Sequence, residues 1–430
     1  MASNPAVLAP LGKWAQDSNI IELQRKEVGG LFSKVPYKGG VGTVGWYAPV
    51  VIGNPAGAGA TLAIAQDIAR NGVGRNTVAK KWSGTWGEYD LVVDFPHKDI
   101  VALDGNNARA YLDLKKAETE QILVTGFNAM ASLFYANAGK SLGTGTISAG
   151  VITLDNASDV VKFNVGDILN ASANDGTSTG HSLLGPATDG YVYAIDAAAG
   201  KISVATSHAN AAAGTAGTPT AWAGTMYLFR KGDFGGTASP NKIFTPFGAW
   251  VPPTAPSAGD SFNGVDRSVN PALLAGLLVP SALVATQTTA QKIRTAATLL
   301  KTRNQAARPN ICVINTEKWE SVARELEGNQ WKDAAKPGNY SGNDSIYIRT
   351  PNGSLELTAD DYCPSNTCFV GNIEASGLHF EGLTKKMFDV VDQDGATIMR
   401  VGDTNDFEMR MVAYPELICQ APGNWARVAI

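Results

Sequence analysis

Between Asn106 and Gly139 the apolar residues return at helical spacing over a run too long for the interior of one compact domain. Leu123, Phe127, Met130 and Phe134 share a face. Asn106 or Asn107 is placed to cap the start, and Gly139 to close the end. At about 1.5 Å per residue the predicted helix spans on the order of 45 Å. A chain with such a strut has to arrange its other elements along it.

The composition changes where that helix stops. No glutamate occurs from Gln121 to Thr316. Short β-type runs follow at 151–154, 160–165, 190–195, 201–205 and 226–229, separated by Gly and Asn/Asp turns. Their spacing predicts a small β-barrel or sandwich, inserted after the helix at about 143–235.

Elsewhere the pattern is mixed. Residues 1–40 read as an extended arm with at most one short helix. In 79–95 the bulky Trp82, Trp86, Tyr89, Leu91, Val93 and Phe95 predict a two-stranded projection with Gly84 and Gly87 in its turn. A two-stranded ribbon cannot bury such rings alone, so a neighbouring chain is expected to cover Trp82, Trp86 and Tyr89. Residues 232–281 are a Gly-, Pro- and Ser-rich connection. Helical spacing over 289–307, an apolar strand at 311–314 and a helix opened by Thr316 and closed by Gly328 form an α+β unit. Asp394-Gly395 predicts a hairpin between 388–391 and 397–401. Phe407, Met409, Met411 and Ala413 alternate along one strand face.

The chain has 430 residues, enough for two or three domains. Charged residues are only 17%, against roughly 25% in an average soluble protein, which suits a surface covered by partners. The formal charge of −4 argues against nucleic-acid binding as the main task. No apolar run reaches the roughly 18 residues of a membrane helix, and the first twenty residues show no secretion-signal pattern. Cys312, Cys363, Cys368 and Cys419 are too scattered for a disulfide scaffold; Cys363 and Cys368 are a conceivable pair, and free thiols are the expectation.

No motif for chemistry survives its context. Gly40-Val41-Gly42-Thr43-Val44-Gly45 has the spacing of a dinucleotide loop but neither the strand before it nor the helix after it. Gly139-Lys140-Ser141 ends like a phosphate loop, yet Phe134 stands where its first glycine belongs. His97, His181, His208 and His379 lack a second ligand at zinc spacing. Asp360-Asp361 reads as a solvated turn. No catalytic residue, metal ligand or cofactor is expected, and the chain is read as a non-enzyme.

Two segments carry a resemblance. Phe247-Gly248-Ala249-Trp250-Val251-Pro252-Pro253 is followed by Phe262-Asn263-Gly264-Val265-Asp266-Arg267-Ser268-Val269-Asn270-Pro271 and Leu274-Ala275-Gly276. This pair resembles the tailed-phage major capsid protein family, whose fold is Hong Kong 97-like. Residues 143–169 are similar to the β-rich insertion of some of these coat proteins. The resemblance implies an N-terminal arm (1–40), an E-loop region (41–98), a peripheral domain with its spine helix (99–142), the insertion (143–235), a connection returning to the peripheral domain (236–271) and an axial domain with closing strands (272–430).

It also implies hexamers and pentamers of this chain in an icosahedral shell around double-stranded DNA, with weak nonspecific DNA contact. A portal, a decoration protein and a separate scaffolding protein are its expected partners, the last because only about 40 residues precede the E-loop. No membrane contact is expected. The implied place is the virion capsid, assembled in the host bacterial cytoplasm. On this reading Trp82, Trp86, Tyr89, Trp250, Asp266 and Arg267 are the candidate subunit-interface residues; Trp82, Trp86 and Tyr89 meet a neighbouring subunit and Trp250 stiffens the loop. Asp266 and Arg267 pair, or Arg267 reaches a neighbour. A β-rich surface-binding module and a cellular nanocompartment shell are the alternatives.

Overall fold

The computed structural model describes residues 21, 24–26, 28–42, 44–53, 60–71, 78–97, 108–177, 181–185, 188–234, 243–304, 307–330, 346–351, 353–391, 399–402 and 406–430. The chain is α+β and forms two compact units, each assembled from three stretches. The first comprises Met1–Gly42, Trp86–Pro246 and Phe380–Leu417; the second comprises Thr43–Thr85, Phe247–His379 and Ile418–Ile430. The division departs from the sequence reading at two places. The region expected as one E-loop segment is split at Thr85/Trp86, and 380–417 leaves the expected axial domain for the first unit.

In the first unit the long helix runs from Ala108 to Phe134. Leu123, Phe127, Met130 and Phe134 are fully buried. Gly139 is not its cap, because the helix ends five residues earlier and Ala136 N–H bonds Leu133 O in a turn. Gly139 is required for another reason: a Cβ there would lie 1.9 Å from Asp175 O. The described part of the arm is built in rather than extended. Phe32, from the short helix Gly30–Lys34, meets the rings of Phe127, Phe134 and Phe380, and Tyr37–Gly39 pairs in parallel with Leu378–Gly382. Burial of Leu31, Phe32 and Val35 supplies the driving force.

The β-type runs after the helix close into a six-stranded antiparallel barrel. Its first strand, Gly143–Ser148, pairs with its last, Thr225–Arg230, which also pairs with Ile168–Ser172. Ile152, Leu169, Val192, Ile202, Val204, Met226 and Leu228 fill the interior, which leaves no channel in a barrel this small. Arg230 ties the barrel to the long helix, donating to Ala129 O at 3.1 Å and Ser132 Oγ at 2.9 Å.

The expected projection over 79–95 does not form. Tyr89–Phe95 pairs instead with Phe407–Ala413, where Met409, Met411 and Ala413 are buried. Asp394-Gly395 lies outside the described residues. Its flanking strands, Asp389–Val390 and Met399–Arg400, pair not with each other but with Phe407–Ala413.

In the second unit a mixed six-stranded sheet has the order Leu277–Leu278, Trp425–Ala429, Thr367–Gly371, Ile311–Ile314, Gly353–Ala359, Ile346–Thr350. The helices Thr289–Arg303 and Thr316–Gln330 contribute Ile293, Ala297, Leu300 and Val322 to a core shared with Cys312, Ile314, Leu355, Leu357 and Val370. Asn315, not Thr316, caps the second helix, its Oδ1 accepting from Glu317 N–H at 3.0 Å. Asp360 is buried rather than solvated, and accepts from Tyr362 N–H at 3.0 Å. The four cysteines are free and buried.

Candidate assembly surface

In the second unit a long antiparallel pair joins Trp46–Gly53 to Val78–Gly84 as a hairpin, with the helix Leu62–Asn71 between the two strands in sequence. Alternation sends Trp46, Ala48, Val50 and Trp82 inward. The hairpin's root is an aromatic knot. Trp250 packs edge-on against Trp82, with ring centroids 5.2 Å apart, and against Phe262 at 5.1 Å. It also meets Trp46 at 6.2 Å. Trp82 Nε1–H donates to Gln420 O at 3.3 Å. Glycines let the layers close: a Cβ on Gly84 would sit 2.6 Å from Trp46 Nε1, and Gly264 has φ +80.

Arg267 locks this root. It is 7% exposed, bonds Asp260 at 2.9 Å, donates to Ala249 O at 2.8 Å and lies 4.2 Å from the Phe262 ring centroid. Burial lowers its pKa and the Asp260 carboxylate opposes that shift. Asp266 does not pair with it. Asp266 Oδ1 accepts from Ser268 Oγ at 2.7 Å and Ser268 N–H at 2.9 Å, which holds its carboxyl below the ordinary value. Ser83 N–H then donates to Asn263 O at 2.9 Å. The two segments that carry the family resemblance are therefore the clamp on the hairpin.

These positions correct three expectations. Trp82 and Trp250 are fully covered by their own chain, so neither has surface left for a neighbour, and Arg267 is spent on Asp260 and Ala249. Trp86 and Tyr89 belong to the first unit and are half-buried; Tyr89 meets Phe388 with centroids 6.3 Å apart. The hairpin's free apolar surface lies elsewhere. Leu62 is 75% exposed, Ile64 48% and Tyr47 60%, the last under the Lys81 ammonium at 4.5 Å. The Leu62–Asn71 helix is amphipathic, and Leu62 and Ile64, at the two edges of its apolar arc, are exposed, which leaves that arc open to a partner. Leu62, Ala65 and Ala69 recur at helical spacing in the sequence, which marks the helix but not its exposure.

In the first unit lies a buried charged cluster that the sequence did not suggest. Lys140, held at φ 65, donates from Nζ to Ile243 O. Glu416 accepts from Thr245 N–H at 3.0 Å, and the Oδ2 of Asp233 is buried without a hydrogen-bond partner. Burial lowers Lys140 to about 8, and raises Glu416 to about 7 and Asp233 to about 6. A rejected glycine motif marked Lys140, and nothing marked Glu416 or Asp233. Among the described residues no group of three or more His, Cys, Asp and Glu side chains is placed to hold a metal ion, and no helix is long and apolar enough to cross a membrane.

No family model matches the chain, and no curated protein matches it. Among solved structures it is similar to the capsid asymmetric unit of cyanophage A-1(L), at 11% identity over 92% of this chain and 89% of that one, with a TM-score of 0.48. It is similar to the capsid of the native GTA particle at 8% identity over 95% and 90% of the two chains, TM-score 0.40. It is also similar to Mycobacterium phage Ogopogo at 10% identity over 93% and 92%, TM-score 0.37.

Proposed function

We propose that this chain is the major capsid protein of a tailed bacteriophage, assembling with copies of itself into an icosahedral shell around double-stranded DNA. The observation that carries the reading is the clamped hairpin. Its root is built from the two sequence segments that resemble the coat-protein family, while its helix keeps Leu62 and Ile64 in solvent. A rigid root and an apolar outer face suit an element that lies on an adjacent subunit. Contacts of this kind are heterologous and close by symmetry into hexamers and pentamers. Trp86 and Tyr89 are assigned to a second, smaller contact.

The role is mechanical rather than catalytic. A separate scaffolding protein and a portal act during assembly in the host bacterial cytoplasm, a decoration protein is a further partner, and the finished chain resides in the virion capsid. Negative-stain electron microscopy of the protein, expressed alone and with its genomic neighbours, tests this. Closed shells or polyheads of uniform curvature are expected. A monodisperse monomer under every condition would overturn the reading.

A further inference from the structure

The helix Thr289–Arg303 buries Ala290, Ile293, Ala296, Ala297 and Leu300 and leaves its opposite face in solvent. The sequence from Arg267 through Thr316 contains no aspartate or glutamate, yet holds Lys292, Arg294, Lys301, Arg303 and Arg308. Arg294, Arg303 and Arg308 are exposed and Lys292 is half-buried. Among the described residues, none of those four forms an ion pair.

A shallow groove of about 420 Å³ runs along this face, lined by Gln287, Gln291, Arg294, Thr295 and Thr298 together with the apolar Leu299 and Pro351, and by no carboxylate. Internal bonds decide what it offers. Gln287 Oε1 accepts from Thr295 Oγ1 at 2.8 Å, and Gln291 Oε1 accepts from Thr288 N–H at 3.1 Å. With both carbonyls engaged, each amide NH₂ is left to donate beside the Arg294 guanidinium. The helix start itself is taken: Glu325 accepts from Ala290 N–H at 3.1 Å. The anion-seeking surface is thus the flank of the helix and not its end.

We propose that this face binds the phosphodiester backbone of duplex DNA without regard to base sequence. The inference rests on the container reading above and names the surface that meets the contents. A single carboxylate needs one focus of charge. Here Lys292 and Arg303 stand about 16 Å apart along the axis on one flank of a Gln/Thr ridge, with Arg294 on the other flank. That spread matches a line of charge, which duplex DNA presents at one per about 1.7 Å of axis. Forked guanidinium and amide donors suit phosphate oxygens.

The test is fluorescence anisotropy of the full-length protein with a labelled duplex across a salt series, beside the same protein with K292Q, R294Q, R303Q and R308Q together. The variant is expected to bind on the order of 100-fold more weakly at low salt, with the slope of log affinity against log salt reduced by about 3 to 4. Replacing the exposed Lys80 and Lys201 is expected to leave binding unchanged. Equal affinity and slope for wild type and quadruple variant would overturn the proposal. So would tighter binding of poly-glutamate than of duplex, which would assign the face to an acidic protein segment. Shell formation by the same variant is scored separately by microscopy. Shells with unaltered DNA affinity would sink this inference and leave the container standing; tight, variant-sensitive binding without shells would do the reverse.

Discussion

Replacing Trp250 with alanine removes the centre of the hairpin's root. The side chain is fully buried and loses three ring partners, Trp46, Trp82 and Phe262. Truncating a buried Trp to Ala costs about 3–5 kcal/mol. Each well-set aromatic pair adds about 0.5–1.5 kcal/mol beyond area alone, which places this site at the upper end, near 5 kcal/mol. That approaches the whole stability of a marginal domain, about 5–15 kcal/mol. Trp250→Phe keeps a ring against Trp82 and Phe262 and is expected to lose about 1–2 kcal/mol.

Urea unfolding followed by far-ultraviolet circular dichroism measures both losses without relying on the fluorescence of the deleted ring. Amide exchange locates them: the bonds between Trp46–Gly53 and Val78–Gly84 should lose protection first. A Trp250→Ala loss under about 1.5 kcal/mol, with the hairpin amides as protected as before, would show that the knot does not hold the hairpin.

Leu62→Asp places a charge on the exposed hairpin helix; the monomer should unfold at the wild-type urea midpoint yet fail to form shells in sedimentation and microscopy, and normal shells would remove the hairpin helix from the interface. Trp86→Ala is likewise expected to leave a folded monomer that assembles poorly, and normal shells would end that assignment. Gly139→Ala forces a Cβ against Asp175 O and is expected to cost more than about 2 kcal/mol by denaturant titration. The buried cluster predicts a pH dependence of known sign. Glu416 and Asp233 titrate at about 7 and 6 in the fold against ordinary values of 4.5 and 3.8, so the fold holds their protons more tightly and stability falls as pH rises from about 4 to 7. Lys140, lowered from 10.5 to about 8, carries its full penalty below pH 8, and stability recovers as pH rises from there. Melting of wild type and Glu416→Gln at pH 5 and pH 7.5 checks this: the wild type should lose more on going to 7.5, and equal losses would refute the assignment to Glu416.

Local pattern was enough for elements whose evidence is periodic. The faces of the long helix, of Thr289–Arg303 and of Phe407–Ala413 follow from the spacing of Phe127, Ile293 and Met409, because a helix or strand displays the same residues whatever it packs on. Strand pairing was not legible in the same way. Gly84 and Gly87 suggested a turn between neighbours, whereas Tyr89–Phe95 found its partner more than three hundred residues onward at Phe407–Ala413. Backbone hydrogen bonds are alike on every strand, so a turn signal competes with any distant edge that buries more side chain.

The candidate site divides along the same line. The positions of Trp250, Asp266 and Arg267 could be picked out because the two motif segments stand in one stretch of chain. Their task could not, since it depends on Trp46 and Trp82 arriving from a much earlier segment of the chain. An alternating aromatic looks the same whether its own chain or a neighbour covers it, and only the packed unit shows Trp82 covered and Leu62 bare. The sequence by itself thus determined which elements form, the low charge and the segments worth watching, all of them properties of residues near one another in the chain. Tertiary structure alone decided the barrel's closure, the clamp on the hairpin and the burial of Lys140 beside two carboxyl groups. Each of these requires surfaces far apart in sequence to exclude water together.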